Sequence, residues 1–184
     1  MVSVAMLWAP ILLSAVLVFI ASSVIHMVLG YHASDFGKVA RQNDVLDALR
    51  GFNLSPGDYF LPRPASTADA RSPEFKALVA KGPVVVMRVM PGGMAMGKSL
   101  ALWFVYTVVV GLFAGYVAGL ALGPGADYRP VFRVTSTVAF AGYTLALWQD
   151  VIWYSRSSTT VAKSTFDGLV FALLTGGTFG WLWP

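Results

Sequence analysis

The chain has 184 residues, of which 57% are hydrophobic and 12% are charged, with a formal net charge of +4. Because soluble domains carry about 25% charged residues, this composition argues against an ordinary soluble globular protein. The absence of cysteine excludes disulfides, thiolate metal sites and cysteine nucleophiles. The positive charge is explained by basic loops and gives no evidence for nucleic acid binding.

Residues 1–31 are predicted to form the first transmembrane helix, because their apolar run exceeds the about 20 residues that cross a bilayer. The stretch MVSVAMLWAP has no Lys or Arg before the apolar region, which is longer than the core of a secretory signal. We therefore expect a retained span.

The two histidines of the chain, His26 and His32, lie at the end of this first span. On one continuous helix, six residues separate them by about 9 Å, so they cannot supply both axial ligands of one haem. Two interpretations stay open. One histidine binds a haem or a chlorophyll-type pigment, or both are polar rings at the level of the lipid headgroups.

Residues 32–98 are predicted to form an extramembrane loop subdomain with short helices and a small β-pair. Asn43 can cap a short amphipathic helix over 44–52. Ser72, followed by proline, begins a second helix that Gly82 ends. The β-branched run 84–90 can pair with residues 59–61 as a short strand.

Four methionines, Met87, Met90, Met94 and Met96, lie close together in MRVMPGGMAM. Thioether sulfur is a ligand for copper(I), so a copper site is one interpretation. The other is that methionine serves as an adaptable packing residue. The Pro-Gly-Gly segment interrupts any single helical face, which favours packing, and we expect no cofactor.

Residues 99–184 are predicted to contain three more spans, at about 100–122, 131–154 and 165–183. The uncharged stretch between Arg133 and Asp150 is too short to cross the membrane, so the helix of the third span must extend through one of these two residues. In the fourth span, Ser164 or Thr165 caps the helix and Asp167 lies in its first turn, where a negative charge suits the helix dipole. The predicted fold class is an all-α integral membrane protein with four transmembrane helices.

Two of the predicted spans carry small residues at every fourth position. These stripes are Gly111, Gly115 and Gly119 in the second span, and Gly168, Ala172, Gly176 and Gly180 in the fourth. Small residues at this spacing allow close helix packing in lipid. Because the second and fourth spans of an up-down bundle are diagonal, we expect at least one stripe to face a neighbouring subunit.

Basic residues predict the orientation of the chain. The loop 32–98 holds nine Lys or Arg, and Arg156 and Lys163 lie in the third loop, whereas the opposite side has Arg129 and Arg133. The positive-inside rule places the long loop in the cytoplasm and both termini outside.

Asp150 is the charge that lies nearest to membrane depth in this topology. Ionisable residues inside a membrane are functional candidates. The simpler interpretation is a salt bridge at the helix end between Asp150 and Lys98. Nothing in the sequence resembles a Ser-His-Asp set or a pair of catalytic carboxylates, so we expect a protein that is not an enzyme.

The segments SSVIHMVLGYHASD and FDGLVFALLTGGTFGWLWP are similar to those of an uncharacterised family of small bacterial membrane proteins. This resemblance implies a multi-pass protein of the bacterial inner membrane and no particular activity. The leading hypothesis is an accessory or structural subunit that packs into a homo- or hetero-oligomeric membrane complex. Two alternatives are a small transporter or channel that uses Asp150, and a pigment- or metal-binding accessory protein of an electron-transfer or photosynthetic complex.

Overall fold

The structure is a computed structural model that describes residues 1–92 and 95–184. It is mostly helical, with one two-stranded antiparallel sheet. The α-helices are α1 (Trp8–Met27), α2 (Gln42–Gly51), α3 (Thr67–Arg71), α4 (Pro73–Lys81), α5 (Met96–Ala121), α6 (Tyr128–Phe140), α7 (Leu147–Tyr154) and α8 (Ser158–Trp181). The strands are β1 (Gly57–Leu61) and β2 (Val85–Val89).

The chain divides into two compact units, one of Met1–Gly37 with Ala95–Pro184 and the other of Lys38–Met94. In the second unit β1 pairs with β2, with Tyr59 opposite Met87, so the predicted small sheet is confirmed. Ser72 caps α4 by accepting a hydrogen bond from the backbone N–H of Phe75 at 3.0 Å. The short helix α3 is an addition that the sequence did not lead us to expect.

The first unit is a bundle of four helical segments. Helix α1 packs against α5 and α8, and α6 packs against the same two helices. A π-helical turn, Ala141–Leu145, joins α6 to α7, so the helical run continues almost unbroken from Tyr128 to Tyr154. Two segments, Val4–Met27 and Met96–Ala121, are long and apolar enough to cross a membrane.

Both small-residue stripes pack against helices of the same chain. A Cβ atom at Gly115 would lie 3.0 Å from the Phe179 ring, and one at Gly111 would lie 3.4 Å from Ser14 Oγ. In α8, a Cβ atom at Gly176 would lie 2.8 Å from Ser136 Cβ. The remaining members are also covered from within: Gly119 by Val2, Gly168 by Thr144, Gly180 by Tyr128, and Ala172 by the buried core.

Our expectation that one stripe would be left for a neighbouring subunit is therefore wrong. The physical reason is that neither stripe depends on helix-to-helix packing of α5 against α8. The glycines of α5 receive the amino-terminal segment, α1 and the single ring of Phe179 from α8, while the glycines of α8 receive α6 and the π-helical turn.

Candidate metal centre

The chain reverses direction at the end of α1 and brings the two histidines together. Helix α1 ends at Met27, and Gly30 adopts a left-handed backbone conformation with φ of +65°. A 3-10 turn, Tyr31–Ser34, then folds back. The rings of His26 and His32 stack with their centroids 4.5 Å apart and their planes within 4°. The 9 Å separation expected for a continuing helix is wrong, because the left-handed glycine ends that helix.

Asp167 of α8 lies against this histidine pair. The residue is 2% exposed, and its Oδ2 lies 2.8 Å from His32 Nε2. The hydroxyl group of Tyr31 donates to Asp167 Oδ1. The prediction that Asp167 lies in the first turn of its helix is wrong, because α8 begins at Ser158 with Ser157 as its N-cap. It lies about two and a half turns along the helix.

Asp35 and Lys163 form the outer side of the cluster. His32 Nδ1 lies 2.6 Å from Asp35 Oδ2, and Lys163 Nζ donates to Asp35 Oδ1 at 3.0 Å. Lys163 Nζ also donates to the carbonyl of Tyr31 at 2.8 Å and to Ser34 Oγ at 2.9 Å. The hydrogen bond from His32, helped by Lys163 and opposed by partial burial, holds the pKa of Asp35 below its usual value.

Both ring nitrogens of His32 face carboxylate oxygens. Because ionised carboxylates only accept hydrogen bonds, His32 donates from Nδ1 to Asp35 and from Nε2 to Asp167 in this arrangement. A metal ion at Nε2 would take the place of the second proton. The bond to Asp35 would remain, as the carboxylate partner that commonly orients a metal-bound histidine.

His26, His32 and Asp167 each offer one ligand atom, and these atoms all lie within 4.8 Å of one another. His26 Nδ1 lies 3.0 Å from the carbonyl oxygen of Ser22 and donates to it, which leaves His26 Nε2 as the free acceptor. Ligand atoms at about 2.1 Å from a tetrahedral ion are about 3.4 Å apart. The two rings must therefore tilt toward each other by a small movement to bind one ion together.

An apolar cavity of about 870 Å³ opens beside the cluster. His26 and Asp167 line it together with aromatic side chains from α5, the π-helical turn and α8, namely Trp103, Tyr106, Tyr143 and Phe171. These rings form a continuous set of contacts, with Trp103 and Phe171 centroids 6.0 Å apart and Tyr143 and Phe171 centroids 5.5 Å apart. The cluster therefore has one side attached to the protein and one side facing an apolar space.

The other predicted site residues lie elsewhere. Asp150 is half-exposed and pairs with Arg156 at 3.4 Å, so the predicted bridge to Lys98 is wrong. The reason is that Ser155 takes a left-handed conformation and turns Arg156 back toward the end of α7. Of the methionines, Met87 and Met90 belong to the second unit, Met96 begins α5, and Met94 lies outside the described residues.

The stacked histidines do not suit a bis-histidine haem. Axial ligands approach the iron from opposite faces of the porphyrin, whereas these rings stack face to face with their centroids 4.5 Å apart and leave no room for a porphyrin between them. Asp167 is the site residue that the sequence analysis missed. A signal was present in the sequence, because a single carboxylate at the start of an apolar run is expected to have a partner. A glycine such as Gly30 commonly follows the end of a helix, and a chain reversal there allows His32 to be that partner.

Comparison of the chain with family models, with curated proteins and with solved structures gives no match. The resemblance to a bacterial membrane family stays a prediction.

Proposed function

We propose that this chain is a four-span integral membrane protein of the bacterial inner membrane that binds one divalent transition-metal ion through His26, His32 and Asp167. The observation that carries the proposal is the arrangement of the histidine rings. Each donates its Nδ1 proton to a fixed acceptor, the Ser22 carbonyl or the Asp35 carboxylate. Each therefore keeps Nε2 as its ligand atom, and one ligand atom from each histidine and from Asp167 lies within 4.8 Å of the others.

The chemistry of the donor set supports a first-row divalent ion. Two imidazole nitrogens and one carboxylate with open positions suit Zn²⁺ or Fe²⁺, whereas Mg²⁺ and Ca²⁺ prefer oxygen ligands. Asp167 is almost fully buried, so its charge requires a cationic partner. A metal ion would provide that partner in place of the proton on His32 Nε2.

The two remaining spans of the proposed membrane protein are the run from α6 to α7 and the helix α8. Four of their buried hydroxyl groups are bonded within the helices: Thr135, Thr144, Thr175 and Thr178 all donate to the carbonyl four residues earlier. Among the described residues no buried side-chain nitrogen or oxygen lacks a partner. Hydrogen bonding of every buried polar group within the protein is what a lipid environment requires.

The geometry favours metal binding over the two other hypotheses. The accessory-subunit hypothesis depended on a free small-residue stripe, and both stripes are covered by the chain itself. The transporter hypothesis depended on Asp150, which pairs with Arg156 and does not line the cavity. We assign a binding role and no reaction.

The test is a titration of the purified full chain with Zn²⁺ and Co²⁺, using an affinity tag without histidine. We expect one ion per chain, with an affinity that Asp167→Asn and His26→Gln each lower at least about tenfold. The matched control is Asp150→Asn, which removes a carboxylate from outside the cluster and should leave the affinity unchanged. Because His26 is exposed, His26→Gln tests the site even where Asp167→Asn fails to fold.

Two results would refute the proposal. One is a wild-type protein that binds no ion at micromolar concentration. The other is a wild-type affinity that both cluster variants retain.

A further inference from the structure

The cavity beside the cluster has a size that fits a small molecule. Its volume of about 870 Å³ lies within the range of small-molecule sites, about 300–1,000 Å³. Its rim carries exposed apolar side chains, with Met27 79%, Met96 60% and Leu102 58% exposed. An occupant can therefore enter from an apolar surrounding without crossing a polar barrier.

Most polar groups along the cavity wall have partners within the protein. Ser22 and Ser23 donate to the carbonyl of Phe19, Ser164 donates to the carbonyl of Thr160, Tyr106 donates to the carbonyl of Gly142, and Trp103 donates to Ser22 Oγ. His26 and Asp167 are the imidazole and carboxylate groups of the wall, and through the metal ion they can recognise the polar part of a ligand. They lie together, so an occupant needs one polar end and an apolar body.

The charge of the metal-loaded cluster selects the sign of that polar end. A divalent ion balances the carboxylates of Asp35 and Asp167, and metal-bound histidines are neutral. The positive charge of Lys163 then remains, on a side chain bonded to Asp35. An anionic head that binds the metal makes the whole site neutral, which favours a carboxylate in a low-dielectric surrounding.

We propose that this cavity holds a single-chain amphiphile with a carboxylate head, a fatty acid, whose carboxylate binds the metal ion while its chain lies along Trp103, Tyr143 and Phe171. This inference rests on the proposed function, because the head is bound by the metal. Without the ion, the side chains of His32 and Lys163 are already paired with Asp35 and Asp167 and are not available to a carboxylate head. Binding of the fatty acid is therefore metal-dependent.

The experiment follows the visible absorption of the Co²⁺-loaded full chain in phosphatidylcholine nanodiscs. Palmitate should change the cobalt spectrum at a concentration at least about 100-fold below that required for acetate, because each buried methylene adds to binding. Methyl palmitate, which has the same chain and no charge, should leave the spectrum unchanged.

Two matched variants of α5 test the role of the cavity. Leu102→Trp fills its rim, whereas Leu120→Trp makes the same substitution on a residue of similar exposure, 54%, that does not line the cavity. Both should keep the cobalt affinity. We expect Leu102→Trp to weaken the response to palmitate at least about tenfold and leave the acetate response intact, whereas Leu120→Trp should respond like the wild type.

The outcomes separate the two proposals. A chain that binds no cobalt overturns both. A cobalt-loaded chain that ignores palmitate, responds equally to methyl palmitate, or responds to palmitate unchanged in Leu102→Trp overturns the fatty acid site and leaves the metal centre standing.

Discussion

Close contact between α8 and the π-helical turn makes Gly168 a sensitive position. A methyl group there would overlap with Thr144 Cγ2 and lie 3.2 Å from Tyr143 Cβ. Thr144 is 1% exposed and cannot move outward. We expect Gly168→Ala to lower the free energy of unfolding by about 1–3 kcal/mol, the usual cost of overpacking, after a helix-propensity gain of up to about 1 kcal/mol is included.

Thr144→Ser provides the rescue, because it removes Cγ2 and keeps the hydroxyl group that donates to the carbonyl of Phe140 at 2.7 Å. Alone, this change should cost about 1 kcal/mol for the lost buried methyl. In the double variant the overlap disappears, so the two costs should couple by about 1–2 kcal/mol in the stabilising direction. Unfolding of the purified chain in mixed micelles measures all four proteins.

The control for this cycle is Gly177→Ala in the same helix. A Cβ atom there would meet Tyr128 Oη at 3.7 Å, an ordinary contact. This variant should be as stable as the wild type or slightly more stable. Gly168→Ala as stable as Gly177→Ala, or strictly additive costs in the double variant, would refute the close-packing argument.

Two further predictions concern the acid limit of stability and the membrane topology. Because the pKa of Asp35 is lowered in the folded chain, its contribution to stability is present at neutral pH and is lost as the pH falls below about 4. When unfolding is measured at decreasing pH, Asp35→Asn should lose less free energy of unfolding than the wild type. Equal losses in the two proteins would contradict this role of Asp35. The absence of native cysteine allows single-cysteine labelling. On intact cells, an impermeant maleimide should label Asp127→Cys and should not label Ser55→Cys, because the long loop is predicted to lie in the cytoplasm. The reverse pattern would contradict the predicted orientation.

The site shows where prediction from the sequence reached its limit. The two histidines stood out because they are the only ones in the chain, yet their meaning depended on whether α1 continued beyond Met27. One left-handed glycine, Gly30, converts a separation along a helix into a stacked pair. Asp167 lies 135 residues from His32 in sequence, and no local pattern connects them.

The sequence by itself determined the local elements of this protein. Apolar run length predicted α1 and α5, the Ser-Pro-Glu signal predicted the start of α4, and β-branched residues predicted the strand β2. These features depend on hydrophobicity, capping and backbone preference, which act over a few neighbouring residues.

The tertiary structure alone decided which surfaces meet. It determined that the small-residue stripes of α5 and α8 receive helices of their own chain, that Asp150 pairs with Arg156, and that Asp167 joins the histidines. The physical reason is that small-residue spacing marks a face capable of close contact without naming its partner. Likewise, a buried carboxylate requires a partner, but the bundle's packing determines which residue can reach it.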